Sequence, residues 1–323
     1  MANPNIGQLL ASTWNRVVTD RPEDNIFNDV WLFNRLTTKN GGMVKLDGGA
    51  QIEVTLEYAT NTTFKSYSDM EALDVYKVDT FDAAQYDWKE HAGTITTSLI
   101  EIFKNSGKGR KFDILSAKID NAIKSAKADI NGMLFGDGAG NSGKDFHGLQ
   151  MLVPDDPTAS ASVGGINHGT FTWWRTNTKQ DGGSSFSELR ANMRKMYNDC
   201  SDGAFSAHPT FGVCDQTVFE GYEGLLTANE RFASKTEGEG GFKNEVIKHK
   251  GMKLAFDSEM DSSNRMYFLN EDAIKLYVAK GIFLKLGEPV EPANQTIDVR
   301  KIVTIGNLVV KQSRRLGVIY SIA

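Results

Sequence analysis

The chain contains 323 residues, enough for two subdomains, and its 40% hydrophobic and 24% charged residues are typical of a folded globular protein. The 36 basic and 41 acidic residues give a formal net charge of -5, which provides no general attraction for nucleic-acid phosphates. The N-terminus lacks the apolar core of a signal peptide, and no stretch approaches the roughly 20 apolar residues that cross a bilayer. We therefore expect neither secretion by the usual route nor a membrane-spanning segment.

The first 42 residues are expected to form an arm followed by a short helix. Residues 1–23 are polar with scattered apolar positions, and Pro22 marks a break. Gly41 and Gly42 end the helical pattern that follows. Its apolar positions are Ile26, Phe27, Val30, Trp31, Phe33 and Leu36.

Residues 43–58 change to the two-residue period of a β-strand. The turn residues 47–49 interrupt the alternation, which predicts a hairpin or a long ribbon. The stretch from 58 to 82 is rich in Thr, Ser and Asp and too weakly periodic to form a core. We expect an extended excursion there that needs a neighbour for support. Strand character returns at 85–89 and 93–100.

The strongest local signal lies at residues 112–135, where apolar side chains recur in steps of three and four. This spacing predicts one long amphipathic helix of about 36 Å. The glycine-rich sequence GDGAGNSGKDFHG then ends it.

The remaining chain divides into an α/β region and a β-rich end. Residues 149–286 mix predicted helices with strands, including strands at 210–214, 252–256, 266–269 and 274–278 and a helix that begins after Asp215. Strands are predicted at 297–305, 308–311 and 316–322, with turns at 306–307 and 314–315. The C-terminal strands are expected to pair with those near residue 95.

The sequence from Gly138 to Lys144 fits the nucleotide-binding pattern GxxxxGK, and its glycines also fit GxGxxG. Both patterns require a preceding buried strand and a following helix to hold the phosphates. Here a helix precedes the glycines, and Asp145 replaces the Ser or Thr that would hold magnesium. We interpret the segment as a helix end and turn, and keep a P-loop enzyme as the alternative from a different class.

No other motif predicts catalysis, a cofactor or a metal site. Cys200 and Cys214 are expected to be reduced, buried thiols, and the five histidines show no metal-ligand spacing. Trp173 and Trp174 could form an aromatic platform for sugars or bases, although packing in a core or interface explains them better. The basic stretch 104–111 is interpreted as a solvated loop.

Two segments carry a family resemblance. AQYDWKEHAGTITTSLIE, residues 84–101, and INGMLFGDGAGNSGKDFHGLQ, residues 130–150, look like the family strand that precedes the spine helix and the GDG turn that follows it. Together with the order of the predicted elements, they make the chain resemble the major capsid proteins of tailed bacteriophages, an α+β fold of the Hong Kong 97 type.

The resemblance implies five parts. These are an N-terminal arm and short helix (1–42), an extended E-loop (43–75), P-domain strands and spine helix (76–148), an A-domain (149–286) and C-terminal P-domain strands (287–323). The first predicted helix begins soon after Pro22, which leaves no room before it for a scaffolding segment. We therefore expect any scaffolding protein to be a separate chain.

The function implied is that of a major capsid protein, not an enzyme. Copies would assemble into hexamers and pentamers of an icosahedral shell that encloses double-stranded DNA without sequence-specific binding. The implied partners are a portal, a separate scaffolding protein and decoration proteins, and the implied location is the virion, after synthesis in the bacterial cytoplasm. An encapsulin shell is the alternative within the same fold. In some relatives, subunits are crosslinked through Lys and Asn, and Lys65 and Asn294 are placed suitably by order.

Overall fold

The structure is a computed structural model that describes residues 30–38, 42–104, 114–159, 162–182, 186–203, 207–226, 247–260 and 264–322. Predictions for residues 1–29 and for most of the basic stretch 104–111 lie outside these ranges. By its contacts the chain forms two units. One contains the segments Ala92–Ala128 and Leu284–Val303, and the other contains Asp29–His91, Asp129–Phe283 and Thr304–Ala323.

Seven helices occur in the described ranges. They are α1 (Trp31–Thr37), α2 (Leu99–Lys104), α3 (Ile114–Phe135), α4 (Gly140–Gly143), α5 (Leu149–Leu152), α6 (Leu189–Asp199) and α7 (Gln216–Leu225). The long helix predicted at 112–135 is confirmed as α3 over its described residues. The predicted start after Asp215 is also confirmed, because the Asp215 carboxylate accepts a hydrogen bond from the Thr217 N–H at 3.3 Å and caps α7.

The strands form two larger sheets and two small ones. They are β1 (Met43–Leu46), β2 (Ile52–Glu57), β3 (Phe81–Tyr86), β4 (Lys89–Ser98), β5 (Ser162–Val163), β6 (Ile166–Asn167), β7 (Asn177–Gln180), β8 (Phe211–Cys214), β9 (Ile247–His249), β10 (Met252–Phe256), β11 (Met266–Leu269), β12 (Ile274–Ala279), β13 (Lys285–Leu286), β14 (Ile297–Val310) and β15 (Gly317–Tyr320). One sheet has the order β7-β15-β11-β8-β10-β9. The other has the order β1-β12-β14-β13, with β4 also pairing with β14, as predicted for strands near residue 95.

Within the described ranges, a hydrophobic core lies between the six-stranded sheet and helices α6 and α7. Strands β8 and β11 are buried along their whole length, as expected for central strands covered on both faces. The core contains side chains with little or no exposed surface, including Leu189, Met193, Val218, Leu254, Met266, Phe268 and Ile319. This region is stabilised by its own packing.

The hairpin predicted across residues 47–49 is wrong. Strand β1 pairs in parallel with β12, with Met43 opposite Leu276, while β2 pairs with β3. The alternation of polar and apolar residues predicts the strands correctly, but the partner of β1 is set by contacts with a distant part of the chain.

The turn predicted at 306–307 is also wrong, because β14 runs without interruption from Ile297 to Val310. Gly306 is needed for close packing, since a Cβ there would lie 2.5 Å from the Tyr277 carbonyl oxygen. The buried Asn307 side chain accepts the His147 N–H at 2.9 Å and donates to the Asp87 carbonyl at 2.9 Å. Gly306 and Asn307 therefore do not turn the chain. They connect β14 to the segments that contain Tyr277, His147 and Asp87.

Candidate functional site

A group of strongly exposed apolar side chains lies on a two-stranded ribbon and the loop between its strands. Strands β2 and β3 are antiparallel, with Ile52 opposite Tyr86 and Glu57 opposite Phe81. Ile52, Leu56, Ala84 and Tyr86 are buried and anchor the base of the ribbon. The Tyr86 hydroxyl donates to the Val310 carbonyl at 3.0 Å, and burial raises the pKa of this phenol well above its usual value.

The ribbon loop, residues 58–80, contains no helix or strand. Phe64 is 85% exposed and Val75 is 93% exposed. Large apolar side chains that are more than half exposed on the loop and the adjoining start of β3 are Phe64, Met70, Leu73, Val75, Tyr76 and Phe81. Several large exposed apolar side chains within one short segment are typical of interaction surfaces.

Polar contacts within the ribbon loop hold its conformation. The Lys65 ammonium lies 3.0 Å from the Asp74 carboxylate, and the Tyr67 hydroxyl accepts from the Asp74 N–H at 3.1 Å. Thr62 and Tyr76 share a hydrogen bond of 2.9 Å. These short-range bonds link residues within the loop, while its large apolar side chains stay exposed.

The two tryptophans proposed as an aromatic platform have different environments. Trp174 is buried and its indole N–H donates to the Val163 carbonyl at 3.0 Å, so it belongs to a core. Trp173 stacks on Tyr58 with ring centroids 5.4 Å apart, at the start of the ribbon loop. Trp174 thus supports the fold, and Trp173 supports the start of the ribbon loop.

The structure does not provide a phosphate cradle at Gly138–Lys144. The segment follows helix α3, and the N–H groups of Gly143 and Lys144 donate to the carbonyls of Ala139 and Gly140 at 3.0 and 3.2 Å. Since these donors are already used, they cannot surround a phosphate as a P-loop does. The interpretation as a helix end and turn agrees with this geometry.

The cysteines are buried and unpaired, as expected. Burial raises the pKa of the Cys200 thiol to about 12 and that of Cys214 further, so neither is a reactive thiolate. Across the described ranges, no three His, Cys, Asp or Glu side chains form a group that could hold a metal ion. No helix in those ranges is long and apolar enough to cross a membrane.

Sequence reasoning missed a buried polar contact that holds α1. The Asp257 carboxylate accepts from the Leu32 N–H at 3.1 Å and from the Asn131 side-chain amide at 3.0 Å. Asn131 in turn accepts from the Phe33 N–H at 3.0 Å. The N-cap residue Val30 makes no side-chain hydrogen bond to the first turn of α1. The remote Asp257 carboxylate therefore accepts a hydrogen bond from one of the N–H groups that the helix start leaves free. No local sequence signal links positions that lie so far apart in the chain.

Comparison by fold gives a consistent result, although no protein-family model and no curated protein sequence matches the chain. A capsid protein of cyanophage A-1(L) matches with a TM-score of 0.71 and 16% identity over 96% of this chain and 98% of that one. The capsid protein of a native GTA particle matches with a TM-score of 0.66 and 11% identity over both full chains.

The same fold also occurs in a compartment protein. The SrpI encapsulin of Synechococcus elongatus matches with a TM-score of 0.60 and 11% identity over 100% of this chain and 96% of that one. These matches cover nearly the whole chain in each case. The chain has the fold of tailed-phage capsid proteins, and the Hong Kong 97-like α+β fold expected from the sequence is confirmed.

Proposed function

We propose that the protein is the major capsid protein of a tailed phage, a structural subunit and not an enzyme, and that the ribbon loop packs on a neighbouring copy. The observation that carries the proposal is the set of exposed apolar side chains on a loop fixed by its own polar contacts. Fully burying one such side chain contributes about 1.5–3 kcal/mol, so several of them supply a substantial contact energy per subunit. The capsid fold of the structural neighbours supports the same role.

Under this proposal, the ribbon with its loop (residues 52–86) takes the place of the E-loop expected at 43–75, and α3 that of the spine helix. The six-stranded sheet with α6 and α7 takes the place of the A-domain expected at 149–286, and it also includes β15 from the C-terminal segment. Repeated contacts between unlike surfaces close into rings, here hexamers and pentamers, and the rings into an icosahedral shell. The contents would be double-stranded DNA, held without sequence-specific contacts. Portal, separate scaffolding and decoration proteins complete the proposed particle, which is made in the cytoplasm of a bacterial host.

The crosslinking of Lys65 to Asn294 stays a prediction. Both residues are exposed, and Lys65 forms its ion pair with Asp74 within the same loop. Boiling assembled shells in detergent would test the bond, because crosslinked subunits migrate as a ladder and uncrosslinked subunits as one band.

The direct test of the proposed function is expression of the full chain in bacteria, alone and with candidate scaffolding and portal proteins from its genomic neighbourhood. We expect closed shells of uniform size by negative-stain microscopy and a fast-sedimenting species by analytical ultracentrifugation. A chain that remains monomeric with those partners present would contradict the proposal.

An encapsulin-type compartment is the second candidate, supported by the match to the SrpI encapsulin. The contents of purified particles distinguish the two. A phage capsid would contain double-stranded DNA after assembly with its packaging partners, whereas an encapsulin would retain a specific protein cargo and no genome.

A further inference from the structure

In the described part of the chain, the outer edge of β2 in the ribbon, its open edge, has no partner strand. The Tyr58 N–H donates to the Thr80 carbonyl at 3.0 Å, so Tyr58 and Thr80 form a hydrogen-bonded pair. In antiparallel strands such pairs alternate with non-bonded pairs, whose N–H and C=O groups point away from the partner strand. With the observed register, the outward positions of β2 are Glu53, Thr55 and Glu57.

The two outer edges of the ribbon differ. On β3, the outward N–H of Gln85 donates to the Gly164 carbonyl of the β5–β6 turn at 2.9 Å, and the outward N–H of Ala83 donates to the Asp82 carboxylate at 2.8 Å. On β2, the outward backbone groups of Glu53, Thr55 and Glu57 have no hydrogen-bond partner within the described ranges, and the sheet contains only β2 and β3. An unpaired edge of this kind is a template for another extended segment.

A cleft of about 440 Å³ lies beside β2. Its lining consists of Glu53, Val54 and Thr55 from β2 together with Asp272, Tyr277, Lys311, Gln312 and Arg315. The Lys311 ammonium lies 5.7 Å from the centre of the Tyr277 ring. The open edge therefore borders a space that can receive main chain and side chains.

The chemistry of the edge specifies its occupant. Side chains at Glu53, Thr55 and Glu57 share one exposed face, while Ile52 and Leu56 are buried on the other. An added strand would place basic residues opposite the two glutamates and β-branched apolar residues on the inner face.

We propose that the open edge of β2 binds an extended segment of a separate polypeptide with alternating basic and β-branched residues. Two segments of the chain itself are poor sources of this strand. The exposed stretch 74–79 has acidic residues at both ends, and residues 1–29 contain two arginines against four acidic residues. The site is distinct from the apolar contacts proposed for assembly and does not depend on them.

The probe is the fluorescent peptide Gly-Lys-Val-Thr-Val-Lys-Gly with blocked ends. Its core sequence is the same in both directions, so it can pair parallel or antiparallel to β2. Fluorescence anisotropy measures its binding as the full-length, unassembled chain is added. We expect this peptide to bind at least about tenfold more tightly than the analogue with Glu in place of both Lys. In the double variant Glu53→Lys, Glu57→Lys of the protein, we expect the Glu analogue to bind more tightly instead. Thr55→Pro removes an outward N–H without breaking a β2–β3 bond, and should weaken binding about tenfold or more.

The matched control is Ala83→Pro, opposite Thr55 on β3, where the N–H points away from β2. It should leave peptide affinity within about twofold, because the β2 edge is intact. Equal binding of both peptides, or binding that Thr55→Pro leaves unchanged, would overturn the proposal. It is also overturned if Thr55→Pro alone abolishes self-association of the chain, since a second copy would then be the occupant.

Discussion

The sheet core and the ribbon loop use the same kinds of side chains in opposite ways. Phe268 on β11 has no exposed surface and packs among residues of α6, α7 and neighbouring strands, whereas Phe64 on the loop is 85% exposed. Both regions are ordered, one by hydrophobic packing and the other by short polar contacts such as Lys65 to Asp74. Apolar residues in this chain therefore serve two tasks, folding of the subunit and its proposed association.

The comparison predicts the largest loss of stability in the core. Phe268→Ala leaves a cavity in a fully packed region and should lower the free energy of unfolding by about 3–5 kcal/mol. Phe64→Ala should change it by less than about 0.5 kcal/mol, because the side chain has few contacts to lose. Urea unfolding of the unassembled subunit measures both. Similar losses for the two variants would show that Phe64 stabilises the subunit as Phe268 does, which contradicts the prediction.

A buried polar contact should come next in size. Asp257→Ala leaves the Leu32 N–H and the Asn131 amide without their shared acceptor, at a cost of about 1–3 kcal/mol for each donor that stays buried. Because the carboxylate holds α1, limited proteolysis should also cut near Trp31 sooner. The control is Lys253→Ala, a change at an exposed position on β10, the strand that directly precedes Asp257. It should alter neither the free energy of unfolding nor the rate of proteolysis.

A smaller effect is expected from pH. Burial, followed by the charge of Arg175, lowers the pKa of His168 to about 4, from about 6.5 in the unfolded chain. The unfolded chain therefore takes up the proton first, so the stability due to the neutral ring is complete above pH 6.5 and is lost as pH falls toward 4. His168→Leu should reduce the loss of unfolding free energy between pH 7 and 4.5 by roughly 1–2 kcal/mol. Urea titrations at several pH values measure it, and equal slopes would contradict it.

Periodicity within the sequence predicted those parts of the fold that depend on local spacing. Helix α3 follows from apolar steps of three and four, and the start of α7 follows from a capping residue, Asp215. Partners in the sheets could not be predicted in this way, because β1 joins β12 from the opposite end of the chain. The Gly306-Asn307 pair was misinterpreted because a local turn signal also suits close strand packing and a buried amide.

The candidate site was predicted in outline only. The polar composition after Tyr58 indicated an excursion that needs a neighbour, but did not indicate which apolar side chains are exposed. The open edge of β2 could not be predicted either, since the direction of each N–H depends on the register with β3.

Under the proposed function, the ribbon loop drives assembly without stabilising the subunit. The most direct test is sedimentation velocity of the double variant Phe64→Ser, Val75→Ser, with Lys77→Ser on the same loop as the control. We predict that the double variant keeps the unfolding midpoint of the wild type but forms no shells, while Lys77→Ser assembles normally. Shells of the double variant in wild-type yield would contradict the claim.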